Sequence, residues 1–283
     1  MNQSLATAVN PKPARVRVAG HFGELAQGRT APGGPVALIT LPCPVLVTEV
    51  AFAPAGGLLR STEPVSAKAL AAAGATLARL GQTGWGGEIA IRRPCPPGLG
   101  AGTSTAETLG AVRAVAWAFD AHLAPEAEAA LCLAAEGAVD PLMHPDTVLF
   151  ASRAGQVIRR LPPLPALGVI GGFAGEPRAT DPADRDFPPM GAVFDEIEAA
   201  LAAGDAARLG RAATRSAAAN QARNPNPAWA AMQAAAQAAG ALGVAVAHTG
   251  AAIALLLPPD RDPAPLRPVL ARAGLRDVID WRL

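Results

Sequence analysis

Tyrosine is absent from the 283-residue chain, and its aromatic residues are limited to seven phenylalanines and four tryptophans. The composition is alanine-rich, suits a cytoplasmic protein, and says little about chemistry. Other absences exclude more. Basic and acidic residues nearly balance at 24 against 23 with no block of like charge, so the electrostatic footprint of a nucleic-acid binder is missing. Cys43, Cys95 and Cys132 are odd in number, widely spaced and without a CxxC pair. They are expected to be reduced thiols rather than a disulfide framework or a zinc cluster. The histidines, His21, His122, His144 and His248, form no HExxH motif. The opening MNQSLATAVNPKPARVRVAG has no continuous apolar core, so no secretory signal is expected. The most apolar stretch, GVAVAHTGAAIALLLPP, is interrupted at His248, Thr249 and Gly250 and closed by two prolines, which is too broken to span a bilayer. No internal repeat is visible. The expectation is a soluble cytoplasmic protein whose partner is a small molecule, with no nucleic acid and no membrane; oligomeric state stays open, a homodimer included.

The length suffices for one large domain or two modest ones. RVRVAG alternates and reads as a short strand entering a glycine turn, GHFGELAQG. The proline-punctuated PVALITLPCPVLVTEVAFAP reads as one or two strands, SAKALAAAGATLARL as a helix with a serine start, and GWGGEIAIR as a strand. Helical spacing of Leu109, Val112, Val115, Ala116 and Phe119 predicts a helix from Ser104 to about His122. A second helix follows over Pro125–Glu136. Then come a proline-bearing loop, GAVDPLMHPD, and a hairpin, TVLFASRAGQVIRRL. PPLP at 162–165 is the best boundary, dividing the chain into 1–161 and 162–283. The second part reads as a strand (ALGVIGGF), a polar loop, helices near 191–203, 205–220 and 227–240, the strands GVAVAH and AIALLLP, and a final helix and strand. Interleaved helices and strands in both parts argue for an α/β or α+β protein.

The stretch PCPPGLGAGTSTAE (Pro94–Glu107) places three glycines at alternate positions before three hydroxyl residues and a helix. A dinucleotide fingerprint fails because Thr103 stands where the third glycine belongs. A Walker A loop fails because the chain's two lysines, Lys12 and Lys68, lie near no glycine loop. What remains is a strand, a loose turn and a helix start. Unpaired N–H groups and the positive end of the macrodipole attract a phosphate there, and glycines let the backbone approach it. Ser104 with Glu107 also fits a capping box, which needs no ligand.

Pro96–Ala106, PPGLGAGTSTA, resembles the PxxxGLGSSAA signature of the GHMP kinases (galactose, homoserine, mevalonate and phosphomevalonate kinases). Counted from Pro96, the motif's GLGSSA falls on Gly100-Ala101-Gly102-Thr103-Ser104-Thr105. Val18–Gly28, VAGHFGELAQG, is similar to a shortened first family motif, PGxxxLxGEH. Its G-E-L-x-Q-G form resembles the L-threonine kinase branch of cobalamin biosynthesis. EGAVDPLMHPDTVLF (Glu136–Phe150) resembles the segment in which the family places an acidic metal ligand and, in many members, a catalytic aspartate. VAHTGAAIALLLP (Val246–Pro258) is similar to the third motif of the threonine-kinase branch, its glycine cluster thinned to Thr249-Gly250-Ala251.

The resemblance implies an α+β GHMP kinase fold of two domains with the active site in the cleft between them. Residues 1–161 would be the N-terminal ATP-binding domain and 162–283 the C-terminal domain. ATP and Mg²⁺ are the implied cofactors. L-threonine is the implied acceptor, converted to O-phospho-L-threonine for the aminopropanol linker of cobalamin. A GHMP kinase for another small alcohol, of homoserine or mevalonate type, and a non-catalytic nucleotide-binding protein on the same fold are the alternatives. In this scheme Pro97, Gly98, Leu99, Gly100, Ala101, Gly102, Thr103, Ser104 and Thr105 wrap the phosphates, and Ser104 and Glu136 share the metal. Asp140 orients and deprotonates the acceptor hydroxyl, with Asp146 as its alternative; some members, homoserine kinases among them, manage without a strong base. Glu24 and Gln27 follow the first motif, Glu24 meeting the substrate ammonium. His21 stands where other members have a lysine and is expected to bond a polar group of the substrate. Arg29, from its own chemistry rather than the motif, is expected to pair a carboxylate. Asn220 is expected at the acceptor cleft, and His248, Thr249 and Gly250 over the phosphate turn.

Overall fold

The computed structural model describes residues 10–61 and 66–283. Val16 and Val18 alternate with exposed Arg15 and Arg17, so strand β1 (Ala14–Arg29) buries one face from its start. The strand does not stop at Gly20. Where the sequence suggests a glycine turn, β1 continues through His21, Glu24 and Gln27 to Arg29. Its pairing with β2 (Val36–Gly56) shifts register at Ala19/Gly20, His21/Glu24 and Glu24/Ala26. These bulges absorb the glycines and re-aim side chains while the strand persists. β2 is a single strand in which exposed Pro44 falls where the ladder to β1 jumps from Val47 to Cys43, and exposed Pro42 stands opposite His21 at the start of the next shift.

The remaining elements follow their sequence signals closely, apart from β3, which the sequence reading does not mark. The edge strand β3 (Leu59–Ser61) precedes α1 (Ala67–Arg79), which opens where the Ser66 side chain accepts the N–H of Ala69. Next come β4 (Trp85–Arg92), α2 (Thr103–Ala118) and α3 (Pro125–Glu136), the last with proline in its first turn and left-handed Gly137 at its end. The hairpin β5 (Val148–Ala151) and β6 (Gln156–Arg160) precedes β7 (Gly168–Phe173). Helices α4 (Gly191–Ala202), α5 (Ala206–Asn220) and α6 (Trp229–Ala239) lead to β8 (Gly243–Val246) and β9 (Ala252–Leu257). Helix α7 (Arg267–Arg272) and β10 (Arg276–Arg282) close the chain.

Among the described residues ten strands form one sheet in the order β10-β7-β9-β8-β1-β2-β4-β3, with the β5–β6 hairpin attached to β2. Helices α1, α2 and α3 cover one face of β1, β2 and β4 over a core that includes Phe52, Ile89, Leu109 and Val112. In the C-terminal half, alternate residues of β9 serve two cores. Ile253, Leu255 and Leu257 pack with Met232 of α6 and Leu270 of α7. Ala252, Ala254 and Leu256 share a core with Phe22, Phe194 and Leu209. Such two-sided burial is why β9 reads as a continuous apolar run rather than an alternating one.

The N- and C-terminal strands meet through one ladder pair, Glu24 with Val246. The crossing is tight. Gly23 has φ of 69°, and a Cβ there would stand 2.6 Å from the Val246 carbonyl carbon and 2.7 Å from the Ala247 nitrogen. Its N–H donates to the Gly100 carbonyl at 2.9 Å. Gly23→Ala therefore adds a backbone clash to left-handed strain and is expected to lower stability by roughly 2–4 kcal/mol. Gly33→Ala, at φ 73° but with open space around it, should cost only about 1 kcal/mol. Chemical denaturation of both variants checks this; equal losses would show that the crossing is not under steric constraint.

Candidate active site

From β4 the chain enters the turn at 93–102, in which Gly98, Gly100 and Gly102 have φ of 85°, 83° and 66°. Gly102 is the N-cap of α2 in left-handed conformation and supplies no side-chain cap. The first-turn N–H groups of α2 thus lack a side-chain acceptor, as an anion site at a helix start requires. The capping box suggested by Ser104 and Glu107 does not form. The left-handed cap position is taken by glycine, which moves Ser104 inside the helix. Its hydroxyl donates to Glu136 Oε2 at 2.5 Å, while Glu107 pairs with Arg93 at 2.7 Å.

The segment after β8 packs directly on this turn. The N–H groups of Ala251 and Ala252 both donate to the Leu99 carbonyl, at 3.0 and 2.9 Å. A Cβ on Gly100 would lie 2.2 Å from the Ala247 methyl. Thr249 lines the cleft below the turn, while Leu99 is buried in the core.

At the cleft floor, α3 ends on Glu136, and the loop after it brings Asp140 back across α2. The Asp140 N–H donates to Thr105 Oγ1 at 3.2 Å. His21 Nε2 stands 3.0 Å from Asp140 Oδ2, and His21 Nδ1 lies 3.2 Å from the Gly23 carbonyl. Burial opposes charge on both partners of this pair. The Asp140 charge and contact outweigh it at His21, whose pKa is raised. The His21 charge and contact, Arg153 and Thr105 outweigh it at Asp140, whose pKa is lowered. The contact therefore favours the imidazolium–carboxylate form of the pair over the neutral one. Glu136 contrasts with it: burial pushes its carboxyl up to about 7 against the pull of the Ser104 and Thr108 hydroxyls, with Asp140 adding to the rise.

Glu24 is also buried, and its Oε2 accepts from the His248 backbone N–H at 2.8 Å and meets His248 Nδ1 at 3.1 Å. Single ligand atoms of His21, Glu24 and Asp140 lie within 4.8 Å of one another. Of the residues singled out from the sequence, the cleft gathers His21, Glu24, Gln27, Gly98, Gly100, Ala101, Gly102, Thr103, Ser104, Thr105, Glu136, Asp140 and Thr249. Others lie outside its lining. Pro97 is exposed at the start of the turn. Arg29 donates to the Gly34 carbonyl at 2.9 Å in a neighbouring recess. Asn220 is buried with its Nδ2 toward the Ala247 carbonyl, and His248 lies behind Glu24. Gly250 packs on the turn from the far side, and Asp146 pairs with Arg160 at the surface.

Lys68, Ser152, Arg153, Arg178 and Thr180 also line the cleft, and the sequence reading passes over them. Lys68 carried a signal as one of two lysines, at the first turn of a clear helix. The arginines carried none, since the loop of Arg178 has no periodicity and reaches the cleft only by folding over Gly98, where its N–H donates at 2.8 Å. Oxygen donors from Ser104 and Glu136 beside an uncapped helix start fit a magnesium–phosphate group.

Residues 197–274 match the family model described as GHMP kinases C terminal. Homoserine kinase from Cytophaga hutchinsonii superposes with a TM-score of 0.68 at 16% identity, covering 95% of this chain and 94% of that one. Mevalonate kinase from Methanococcus jannaschii gives 0.70 at 14%, covering 96% and 98%. Mevalonate pyrophosphate decarboxylase from Streptococcus pyogenes gives 0.65 at 14%, covering 98% of each. No curated protein matches the chain. The chain thus has the GHMP kinase fold, with α+β architecture. Among the described residues no helix is long and apolar enough to cross a membrane.

The metal-free site carries a pH signature. Glu136 titrates at about 7 in the folded chain against an ordinary 4.5, so folding favours its protonated form. That contribution is complete below the ordinary value and is lost as pH rises through 7, at most about 3 kcal/mol. Glu136→Gln is expected to gain stability relative to wild type between about pH 5 and about pH 8 in metal-free denaturation experiments. An unchanged difference at both pH values would contradict the assignment.

Proposed function

We propose that the chain is an ATP-dependent GHMP-type kinase whose acceptor is the side-chain hydroxyl of L-threonine, giving ADP and O-phospho-L-threonine. The observation that carries this reading is the convergence in one cleft of an uncapped glycine turn, the Ser104–Glu136 pair and Asp140. Phosphoryl transfer needs positioning and charge neutralisation more than covalent chemistry, and these groups supply both. The turn at 98–105 would hold the phosphates of ATP through its backbone N–H groups. Ser104 and Glu136 would hold Mg²⁺, which when bound neutralises phosphate charge. Asp140 accepts the proton of the acceptor hydroxyl as its oxygen bonds to the γ-phosphorus and ADP departs. His21, whose contact lowers the Asp140 pKa, keeps Asp140 aimed and favours its ionised form.

The finer choice of acceptor rests on Glu24, a buried carboxylate beside Asp140 that suits an ammonium group. The G-E-L-x-Q-G form of the first motif, at Gly23–Gly28, supports the amino acid over mevalonate. The structural relatives are named for acceptors of both kinds, so the fold leaves this choice to the site. Arg153 and Arg178 at the cleft replace Arg29 as the candidates to meet the amino-acid carboxylate. A homodimer and a cytoplasmic location are compatible with this reading.

Magnesium-dependent ADP release is expected to be fastest with L-threonine among L-threonine, L-serine, L-homoserine and mevalonate. A clear preference for another acceptor would overturn the threonine assignment, and no release with any would overturn the kinase. Ser104→Ala and Asp140→Asn should each lower kcat by roughly 10²-fold while the fold, followed by circular dichroism, is kept. Wild-type rates in both would place the reacting groups elsewhere.

A further inference from the structure

His248 does not line the cleft, yet its surroundings are ordered by an unbroken run of hydrogen bonds. The Gln27 N–H donates to Ser216 Oγ at 3.2 Å. The same Ser216 hydroxyl lies 3.0 Å from His248 Nε2. His248 Nδ1 meets Glu24 Oε2 at 3.1 Å, where the His248 backbone N–H also arrives at 2.8 Å, and a proton on Nδ1 makes that contact a hydrogen bond to the carboxylate. Ser216 is fully buried and His248 is 3% exposed, so water does not substitute for these contacts. The run joins α5, β1 and the segment after β8.

Both bonds to Glu24 fall on Oε2. Among the described residues Oε1 has no hydrogen-bond partner, and Glu24 lines the cleft within 4.8 Å of the Asp140 and His21 ligand atoms. With one oxygen of this buried carboxylate held from behind, the other is left for a cation entering the cleft that Glu24 lines. Its closeness to Asp140, the group that meets the hydroxyl, suits an amine and a hydroxyl on neighbouring carbons.

We infer that His248 is a positioning residue: through Nδ1 it holds Glu24 so that the cleft selects alcohols bearing a protonated amine next to the hydroxyl carbon. The inference rests on the kinase reading for its substrate but on hydrogen-bond geometry for its residue. Its test uses the two halves of the ring. An asparagine amide can occupy the place of Nδ1, and a glutamine amide that of Nε2. His248→Asn should keep the bond to Glu24, and His248→Gln should keep only the side toward Ser216.

The experiment measures L-threonine and ATP kinetics in the full chain, L-threonine binding by calorimetry, and turnover of 3-hydroxybutyrate, which lacks the amine. His248→Gln is expected to raise the KM and Kd for L-threonine about tenfold, a loss of about 1.4 kcal/mol. The ATP KM, kcat and turnover of 3-hydroxybutyrate should stay within about twofold, the size of effect expected if only acceptor binding is lost. His248→Asn should restore wild-type binding. Weakened binding in the glutamine variant without any ADP release would retain the positioning role and reject the kinase reading. Equal behaviour of the two variants, parallel losses for ATP and threonine, or no threonine binding by wild type would each overturn the inference. Thermal melts of both variants distinguish a lost contact from a lost fold.

Discussion

Contact between the backbone of β1 and the segment following β8, at distances only glycine allows, is the constraint on which the rest of the site depends. A side chain at Gly23 would strike Val246 and Ala247, and one at Gly100 would strike Ala247 from the other direction. The same short segment is thus clamped between the first strand and the glycine turn before α2. Close packing fixes three things at once. Glu24 reaches the His248 backbone, the turn is held open before α2, and His21 is set against the Asp140 loop. Interiors packed this densely transmit small shifts rather than absorbing them.

Three carboxylates then share one cleft without sharing one character. Asp140 has its pKa lowered by the adjacent His21. Glu136 sits between two hydroxyls, and burial brings it close to protonation when no cation is present. Glu24 is tied to the opposite half of the molecule by one oxygen. Environments that separate the behaviour of neighbouring acids are how a single site assigns a base, a metal ligand and a recognition group. A cation near Glu136 would restore its charge, so metal affinity and stability are linked at that residue.

Much of this was legible in the sequence. Helices α1, α2 and α3 announce themselves by spacing and caps, and the glycine turn by its incompatibility with other phosphate motifs. What stayed hidden has physical causes. The run from Gly20 to Gly28 looks like a turn because glycines usually mark one, but long-range pairing with β2 holds it as a bulged strand. Ser104 and Glu107 satisfy a capping pattern that the left-handed Gly102 pre-empts. His248 looks like a cleft residue in the motif, and only tertiary placement turns it to face Glu24 from behind. Arg178 belongs to a loop without periodicity, so nothing local points to the cleft. Arg29 has suitable chemistry in the wrong recess, since the hairpin after it captures its guanidinium.

The GHMP kinase fold is shared by proteins named for homoserine, for mevalonate and for a decarboxylation, so the acceptor must be read from side chains rather than from architecture. The central claim is that this cleft transfers a phosphoryl group from ATP to a small amino alcohol. Phosphorus NMR of the chain with ATP, magnesium and L-threonine tests it most directly. The account predicts a phosphomonoester resonance of O-phosphothreonine growing in step with ADP. Inorganic phosphate appearing in its place, or ATP persisting unchanged, would contradict it.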